Sequence, residues 1–215
     1  MPLCQSCTQE RIWEVDDLPV LRAAISLPCP ETPRRIRSFY ALQGRAYLRY
    51  CRQFLLPQAE TAMRSALEES RPFTPWQAEL SWQCTYEEGS LLSLWVQSRE
   101  EGDGVFFQRR GDTWDLAAGA PVTLARLLPK PRRWKRLFYD AASTEVERRG
   151  RSSAAIYRPD WPRQLKRALN PRNFYLTETG LAFFVPMYAL GGAALGIPTF
   201  HIPWEDLRGN DSGRP

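Results

Sequence analysis

Histidine is almost absent from this sequence, with one residue in 215, His201. A single imidazole severely restricts acid–base catalysis, nucleophilic triads and histidine-rich metal sites. The five cysteines form no disulfide framework, and few unpaired cysteines are typical of a reducing compartment. No serine lies in a nucleophile elbow, and no glycine-rich loop has the spacing or the lysine of a phosphate cradle. We therefore expect a non-enzymatic protein that uses no cofactor.

Signals for export and membrane insertion are also missing. The first residues, MPLCQSCTQERIW, have neither the basic region nor the apolar run of a secretory signal. The stretch Thr179–Trp204 contains no charged residue over 26 positions, which exceeds the roughly 20 that span a bilayer. Its prolines and glycines would interrupt a helix, and its alternating apolar residues favour short strands. The expected location is therefore the cytoplasm, without membrane insertion.

Aromatic residues, in contrast, are abundant, with 8 Trp, 8 Tyr and 10 Phe. At this chain length roughly 70% of the unfolded surface can be buried, so a core can form without disulfides or metals. The net charge of +5 is unevenly distributed. Residues 130–172 contain 13 basic and 4 acidic residues, whereas the other 172 residues contain 16 basic and 20 acidic ones. The chain therefore carries one basic band, of net charge +9, on a mildly acidic body.

Alternation predicts an antiparallel β-meander in the middle of the chain. Apolar and polar residues alternate without exception from Trp76 to Tyr86, which is the period of a half-buried strand. Two further strands are predicted at Leu91–Arg99 and Val105–Arg110, separated by turns that contain glycine. Earlier in the chain, Ile12–Leu27 is strand-like and ends at prolines.

Helical spacing predicts a long helix over Arg34–Ser70, broken or kinked at Pro57. Another helix begins in the basic band, and a short one is predicted at Trp161–Leu169. The helix of the basic band has an apolar face made of residues at helical spacing: Trp134, Leu137, Phe138, Ala141 and Val146.

The C-terminal part predicts a β-hairpin, followed by a strand at Thr199–Ile202 in which His201 faces away from its apolar neighbours. Because helices and meandering strands segregate along the chain, the fold class is α+β, with a long N-terminal helix, the meander and a second small module. The predicted organisation is a flexible tail at 1–11, an N-terminal α+β module at 12–104, a C-terminal α+β module at 105–208 and a second tail at 209–215.

Two segments resemble the ectodomains of bacterial RsiV-like anti-sigma factors. Gly111–Leu128 is similar to a strand, turn and short helix in those domains, and Asn173–Leu207 is similar to their closing segment. In that closing segment a hairpin leads through a loop of small residues to a Gly, a Pro, a Phe and an Ile-Pro-aromatic ending. The matching positions here are Gly196, Pro198, Phe200, Ile202, Pro203 and Trp204.

The resemblance implies a two-module α+β fold that binds a ligand and catalyses no reaction. Such domains are paired modules of unknown function found outside the membrane in sensors, the best understood of which binds lysozyme, and also next to cell-wall deacetylases. The implied partner is a protein such as lysozyme or a ligand derived from the cell wall. The loop differs from the family pattern, with Ala189, Gly192 and Ala193 where relatives tend to carry an acid, a Pro and a Tyr.

The basic band supplies an alternative function, the binding of nucleic acid or another polyanion. Basic side chains around an aromatic residue provide phosphate contacts and a stacking platform. Equally, Trp134 fits the apolar helix face, and a basic band is often only a solvated surface. The candidate residues are Arg132, Arg133, Trp134, Lys135, Arg136, Arg148, Arg149 and Arg151.

Two smaller motifs complete the set of candidate sites. Gly191, Gly192 and Gly196 predict a turn that lets backbone segments pack closely, and a ligand site is expected if this loop and the basic band share one concave surface. Cys4 and Cys7 form a Cys-x-x-Cys pair, which is half of a zinc site, but the other half is missing, so no metal is expected. Cys51 and Cys84 are predicted to be core thiols.

Overall fold

A computed structural model describes residues 4–30, 33–152 and 157–208. It shows a mixed α+β fold with two sheets, in the strand orders β1-β2-β3-β4-β5-β6 and β7-β8-β9. The strands are β1 Cys4–Val15, β2 Leu18–Pro30, β3 Trp76–Glu88, β4 Leu91–Glu101, β5 Val105–Asp115, β6 Ala120–Pro121, β7 Phe174–Thr177, β8 Gly180–Phe184 and β9 Thr199–Pro203. The helices are α1 Arg34–Tyr50, α2 Leu56–Glu68, α3 Leu124–Leu127, α4 Trp134–Ser152, α5 Trp161–Ala168 and α6 Trp204–Arg208.

Residues 4–11 belong to a strand and not to the loose tail expected for residues 1–11, of which residues 1–3 lie outside the described residues. β1 pairs antiparallel with β2 along its whole length, and Asp16 and Asp17 form the turn with φ values of 52° and 61°. Two consecutive left-handed residues are typical of a tight hairpin turn. Polar residues can form β1 because it is the edge strand and most of its side chains are exposed. The predicted tail at 209–215 lies outside the described residues.

The three strands of the predicted meander, β3, β4 and β5, are consecutive neighbours in the sheet, and β2 pairs in parallel with the first of them. Leu21 lies opposite Trp76 and Ile25 opposite Leu80. Parallel neighbours need a long crossover, and α1 and α2 supply it. A π-helical turn at Cys51–Leu55 joins these two helices, and Pro57 stands in the first turn of α2.

The described chain forms two compact units: Met1–Trp82 with Val96–Phe107, and Gln83–Trp95 with Gln108–Pro215. The unit boundaries fall inside β3, β4 and β5. The division into modules at 12–104 and 105–208 stays a prediction. In unit 1, Cys51 and Leu55 pack against Leu21 and Ala78 of the sheet.

Unit 2 is built around α4 and the three-stranded sheet. The ring of Phe138 stacks on Phe183 with centroids 4.1 Å apart, and Phe183 lies 5.3 Å from Phe200. Phe200 and Ile202 are buried while His201 is exposed, so the predicted alternation of β9 is confirmed. Among the described helices, none is long and apolar enough to cross a membrane.

Candidate functional site

A groove of about 740 Å³ lies between α4 and the edge of the three-stranded sheet in unit 2. All five residues of β9 line it, together with Tyr175 and Ala182 from the neighbouring strands. We call it the α4–β9 groove. Its volume lies within the range of roughly 300–1,000 Å³ that is usual for ligand sites. The helix contributes one face at spacings of three and four: Leu137, Asp140, Ala141, Thr144, Glu145 and Arg149.

β9 presents a free edge to this groove, because it is the last strand in the order β7-β8-β9. Trp204 donates its backbone N–H to Thr179 at 3.2 Å, and Val185 donates to Pro198 at 3.0 Å. These bonds fix the alternation of the antiparallel ladder, in which every second residue bonds to the neighbouring strand. Among the described residues, the outward backbone groups of Thr199 and His201 have no backbone partner.

His201 lies at this edge, beside two threonine hydroxyls. Its Nε2 is 3.0 Å from the Thr179 hydroxyl and 3.3 Å from the Thr177 hydroxyl. Within the described part of the chain, no group of His, Cys, Asp and Glu side chains is placed to hold a metal ion. The imidazole and the Thr177 hydroxyl belong to residues that line the groove, where a ligand can exchange hydrogen bonds with them.

The charges on the α4 wall are largely satisfied within the helix. Arg148 and Arg149 donate hydrogen bonds to Glu145 at 2.7 and 2.6 Å, and they lower the pKa of that carboxyl to about 2. Arg136 lies 3.5 Å from Asp140. Arg148 and Arg149 of the predicted basic site are thus engaged by Glu145, and the side chain of Arg151 lies outside the described residues.

The N-terminal end of the basic band lines a second cavity of about 370 Å³, which we call the basic cavity. Lys130, Arg133 and Arg136 line it, and it shares Leu137, Asp140 and Asp206 with the α4–β9 groove. The two hollows are therefore adjacent along α4. Of the other residues of the band, Arg132 and Lys135 are exposed and Trp134 is half-buried.

Trp134 belongs to the core face of α4. Its ring meets Phe138 edge to face at 5.6 Å, and it packs on the buried cluster of unit 2. An indole held in this way provides no open platform for stacking bases. The interpretation of Trp134 as part of the apolar helix face is supported by this packing.

The glycine loop does not join the basic band in either of these cavities, because Gly191, Gly192 and Gly196 line neither of them. A Cβ at Gly192 or Gly196 would meet no atom within 4 Å, so close backbone packing does not explain these two glycines. Gly196 has a φ of 59°, which L-residues rarely adopt, and Gly191 forms an isolated bridge with Tyr157.

The two residues of the cysteine pair, Cys4 and Cys7, both fall in β1. The exposed Cys7 thiol hydrogen-bonds with Cys29, which raises its pKa. Cys51 is a buried thiol as expected, and burial raises its pKa to about 12. Cys84 is only half-buried.

One supporting residue of the β9 edge was not found from the sequence. Arg109 donates a hydrogen bond to the Thr199 hydroxyl at 3.1 Å, and its guanidinium lies 5.1 Å from the Trp95 ring centroid. Burial lowers the pKa of Arg109. This arginine holds the first residue of β9, and only tertiary contacts reveal it. The free edge of β9 also has no local signal, although Pro198 and Pro203 bracket the strand.

Solved structures place the fold in a known class. The chain is similar to the crystal structure of a DUF3298 family protein from Pseudomonas aeruginosa PAO1, with 15% identity and a TM-score of 0.65, over 96% of this chain and 93% of that chain. It is similar also to a member of the DUF3298 family from Bacteroides fragilis, with 13% identity and a TM-score of 0.63, over 94% and 90% of the two chains. At these identities the likeness shows the fold alone.

A family model agrees with this class. The model described as protein of unknown function (DUF3298) matches residues 135–205. No curated protein matches the chain. The matched segment runs from α4 into α6 and contains both walls of the α4–β9 groove.

Proposed function

We propose that this chain is a non-enzymatic binding module of the RsiV-like type, and that its ligand is a protein held on unit 2. The observation that supports this most is the α4–β9 groove, where a free strand edge faces a helix wall. Unpaired backbone groups at a strand edge are suited to recognising a polypeptide. The His201 imidazole hydrogen-bonds with the hydroxyls of Thr177 and Thr179 and has no carboxylate partner among the described residues, which favours binding over catalysis.

Lysozyme is the first ligand to test, because the resemblance of Asn173–Leu207 implies it, and soluble cell-wall fragments are the second. Calorimetric titration of the intact chain is expected to show saturable binding to one of them. Ala141→Trp fills the groove and should weaken binding by about tenfold or more, as in the loss of a central contact. Ala118→Trp adds the same ring at an exposed turn of unit 2 and should leave the affinity unchanged.

The absence of binding to lysozyme and to wall fragments would remove these two partner classes. Equal affinities of the Ala141→Trp and Ala118→Trp variants would place the ligand elsewhere on the chain. Circular dichroism of both variants confirms that each retains its fold before the titrations are compared.

A second candidate function is polyanion binding, which is supported by the exposure of Arg132, Arg133 and Lys135. None of these three side chains forms an ion pair with a residue that the structure describes. Binding to single-stranded DNA or heparin should then weaken steeply with salt. Replacing all three residues with Ala should reduce the slope of the logarithm of the binding constant against the logarithm of the salt concentration by about two to three. Arg148→Ala serves as the control, since Glu145 already engages that guanidinium. A salt-independent or absent interaction contradicts this function.

A further inference from the structure

We propose that β9 accepts an added strand: the α4–β9 groove binds an extended segment of a partner polypeptide, with an acidic residue of that segment in the basic cavity. This inference rests on the proposed function for the statement that unit 2 binds a protein. It adds the conformation of the bound segment, its position along β9 and the charge at one of its ends.

The ladder between β8 and β9 determines which groups are available. Phe200 and Ile202 lie opposite Phe183 and Leu181 and bond to β8. The intervening residues therefore direct their backbone groups to the outer edge. That edge offers the backbone N–H groups of Thr199 and His201 and the backbone carbonyls of Thr199, His201 and Pro203. Such a row of donors and acceptors is a template for strand pairing.

Pro203 sets one limit of the pairing. Proline has no backbone N–H, so the row of outward donors ends at His201. Five residues of β9 extend over about 17 Å, which is enough for one short strand of a partner. The pairing is therefore expected to span Thr199–Pro203 and to end where α6 begins.

The two faces of the three-stranded sheet define where the side chains of an added strand would lie. Phe183 and Phe200 belong to the face covered by α4. Tyr175, Ala182 and His201 stand in register on the opposite face. Since successive side chains of a strand point to opposite faces, alternate residues of the bound segment would contact Leu137 and Ala141 of α4. The residues between them would lie beside Ala182 and His201.

The charge of the basic cavity predicts an acidic residue at one end of the bound segment. The basic cavity is lined by Lys130, Arg133 and Arg136 against Asp140 and Asp206, a net charge of +1. Arg136 already pairs with Asp140, and Lys130 and Arg133 form no ion pair within the described residues. This cavity adjoins the groove through shared lining residues. A carboxylate placed a few residues beyond the paired strand would meet these cations.

The test begins with selection of random peptides of about ten residues, displayed on phage, against the immobilised intact chain. We expect the selected peptides to share alternating apolar residues and an acidic end. His201→Pro deletes an outward N–H without removing a bond to β8. It should weaken the binding of the selected peptides by about tenfold or more. His201→Ala also lacks the imidazole but retains the N–H, so it is the matched reference: the affinity of His201→Pro should lie at least about tenfold below that of His201→Ala, and equal affinities overturn strand addition.

Modified peptides provide a test that needs no protein variant. N-methylation of alternate residues of a selected peptide should abolish binding when the methylated nitrogens face β9, and the other alternate set should tolerate it. Tolerance at every position overturns strand addition. A Lys130→Glu, Arg133→Glu double variant should shift the selected end from acidic to basic residues, and an unchanged preference overturns the assignment of the basic cavity.

The outcomes separate this inference from the proposed function. Undiminished binding of a protein ligand to a folded His201→Pro variant removes strand addition and retains the binding module. Enrichment of no peptide on the intact chain also overturns strand addition. Absence of any protein ligand removes the proposed function itself. Thermal melting shows whether His201→Pro folds, and Ala141→Trp replaces it as the blocking variant if it does not.

Discussion

The hydroxyl oxygen of Ser93 accepts a hydrogen bond from the backbone N–H of Leu176 at 2.8 Å. Ser93 belongs to β4 and is completely buried, and its oxygen also lies 2.8 Å from the Thr113 hydroxyl. Leu176 belongs to β7. A single buried side chain thus links the two sheets within unit 2.

Replacing Ser93 with Ala should destabilise the protein by about 1–3 kcal/mol, because the buried N–H of Leu176 loses its acceptor. Ser90→Ala is the control, since Ser90 is exposed at the adjacent turn and should change stability by less than about 0.5 kcal/mol. Urea denaturation measures both. Equal midpoints for the two variants would show that the serine link contributes nothing.

Gly111 and Gly192 should respond oppositely to the addition of a methyl group. A Cβ at Gly111 would overlap the backbone carbonyl of Phe174, so Gly111→Ala requires the backbone to move. Gly192 has a φ of −78° and open space around it, so Gly192→Ala should be neutral or stabilising by up to about 1 kcal/mol. Thermal melting is expected to show a large loss for Gly111→Ala alone. A similar loss for both would contradict the difference in space.

The Tyr50 and Glu100 pair supplies a prediction on pH. Burial raises the pKa of Glu100, while Tyr50 donates its hydroxyl to the carboxylate at 3.0 Å. Because the pKa of Glu100 is higher in the folded than in the unfolded state, the free energy of unfolding is highest at low pH, where the carboxyl is protonated in both states. It decreases as pH rises from the unfolded-state pKa through the folded-state pKa. Glu100→Gln keeps an acceptor for Tyr50 and removes this loss.

At pH 7, Glu100→Gln is accordingly expected to be at least as stable as the parent. Tyr50→Phe should lose about 1.5–3 kcal/mol, since the half-buried carboxylate loses its donor. Denaturation between pH 4 and pH 8 is the measurement, with both variants compared with the parent at each pH. Destabilisation by Glu100→Gln at neutral pH would show that the charge itself stabilises unit 1.

Local periodicity explains which parts of the fold were predictable. The alternation from Trp76 to Tyr86, the apolar face of α4 and the outward position of His201 each depend on residues close in sequence. Burial of one face is enough to determine these patterns. The α+β class follows from them.

Features that depend on strand neighbours were not predictable. Residues 5–11 of β1 are mostly polar and become part of a strand only by pairing with β2. The parallel pairing of β2 with β3 depends on a crossover of two helices. The free edge of β9, which defines the candidate site, depends on its being the last strand of its sheet. None of these has a signature in the period of nearby residues.

The ion pairs of Glu145 define the last prediction, which concerns acid stability. Hydrogen bonds from Arg148 and Arg149 lower the pKa of Glu145 to about 2, from an ordinary value of 4.5. A lowered pKa gives stability that is present above the ordinary value and lost as pH falls towards the folded-state value. Glu145→Gln should therefore melt below the parent at pH 7, and the difference should vanish as pH falls from 4.5 to about 2.

The size of this difference should be small, because the two arginine side chains are 65% and 40% exposed and solvent screens such pairs. A loss of 1 kcal/mol lowers the melting temperature of a protein of this size by about 2–4 °C, and we expect a smaller difference than this between Glu145→Gln and the parent. In 1 M salt the difference should decrease further. Glu147→Gln on the same helix is the control, since Glu147 is exposed and forms no ion pair with described residues. A pH-independent difference for Glu145→Gln would mean that packing of the side chain, and not its charge, stabilises the α4 wall of the groove.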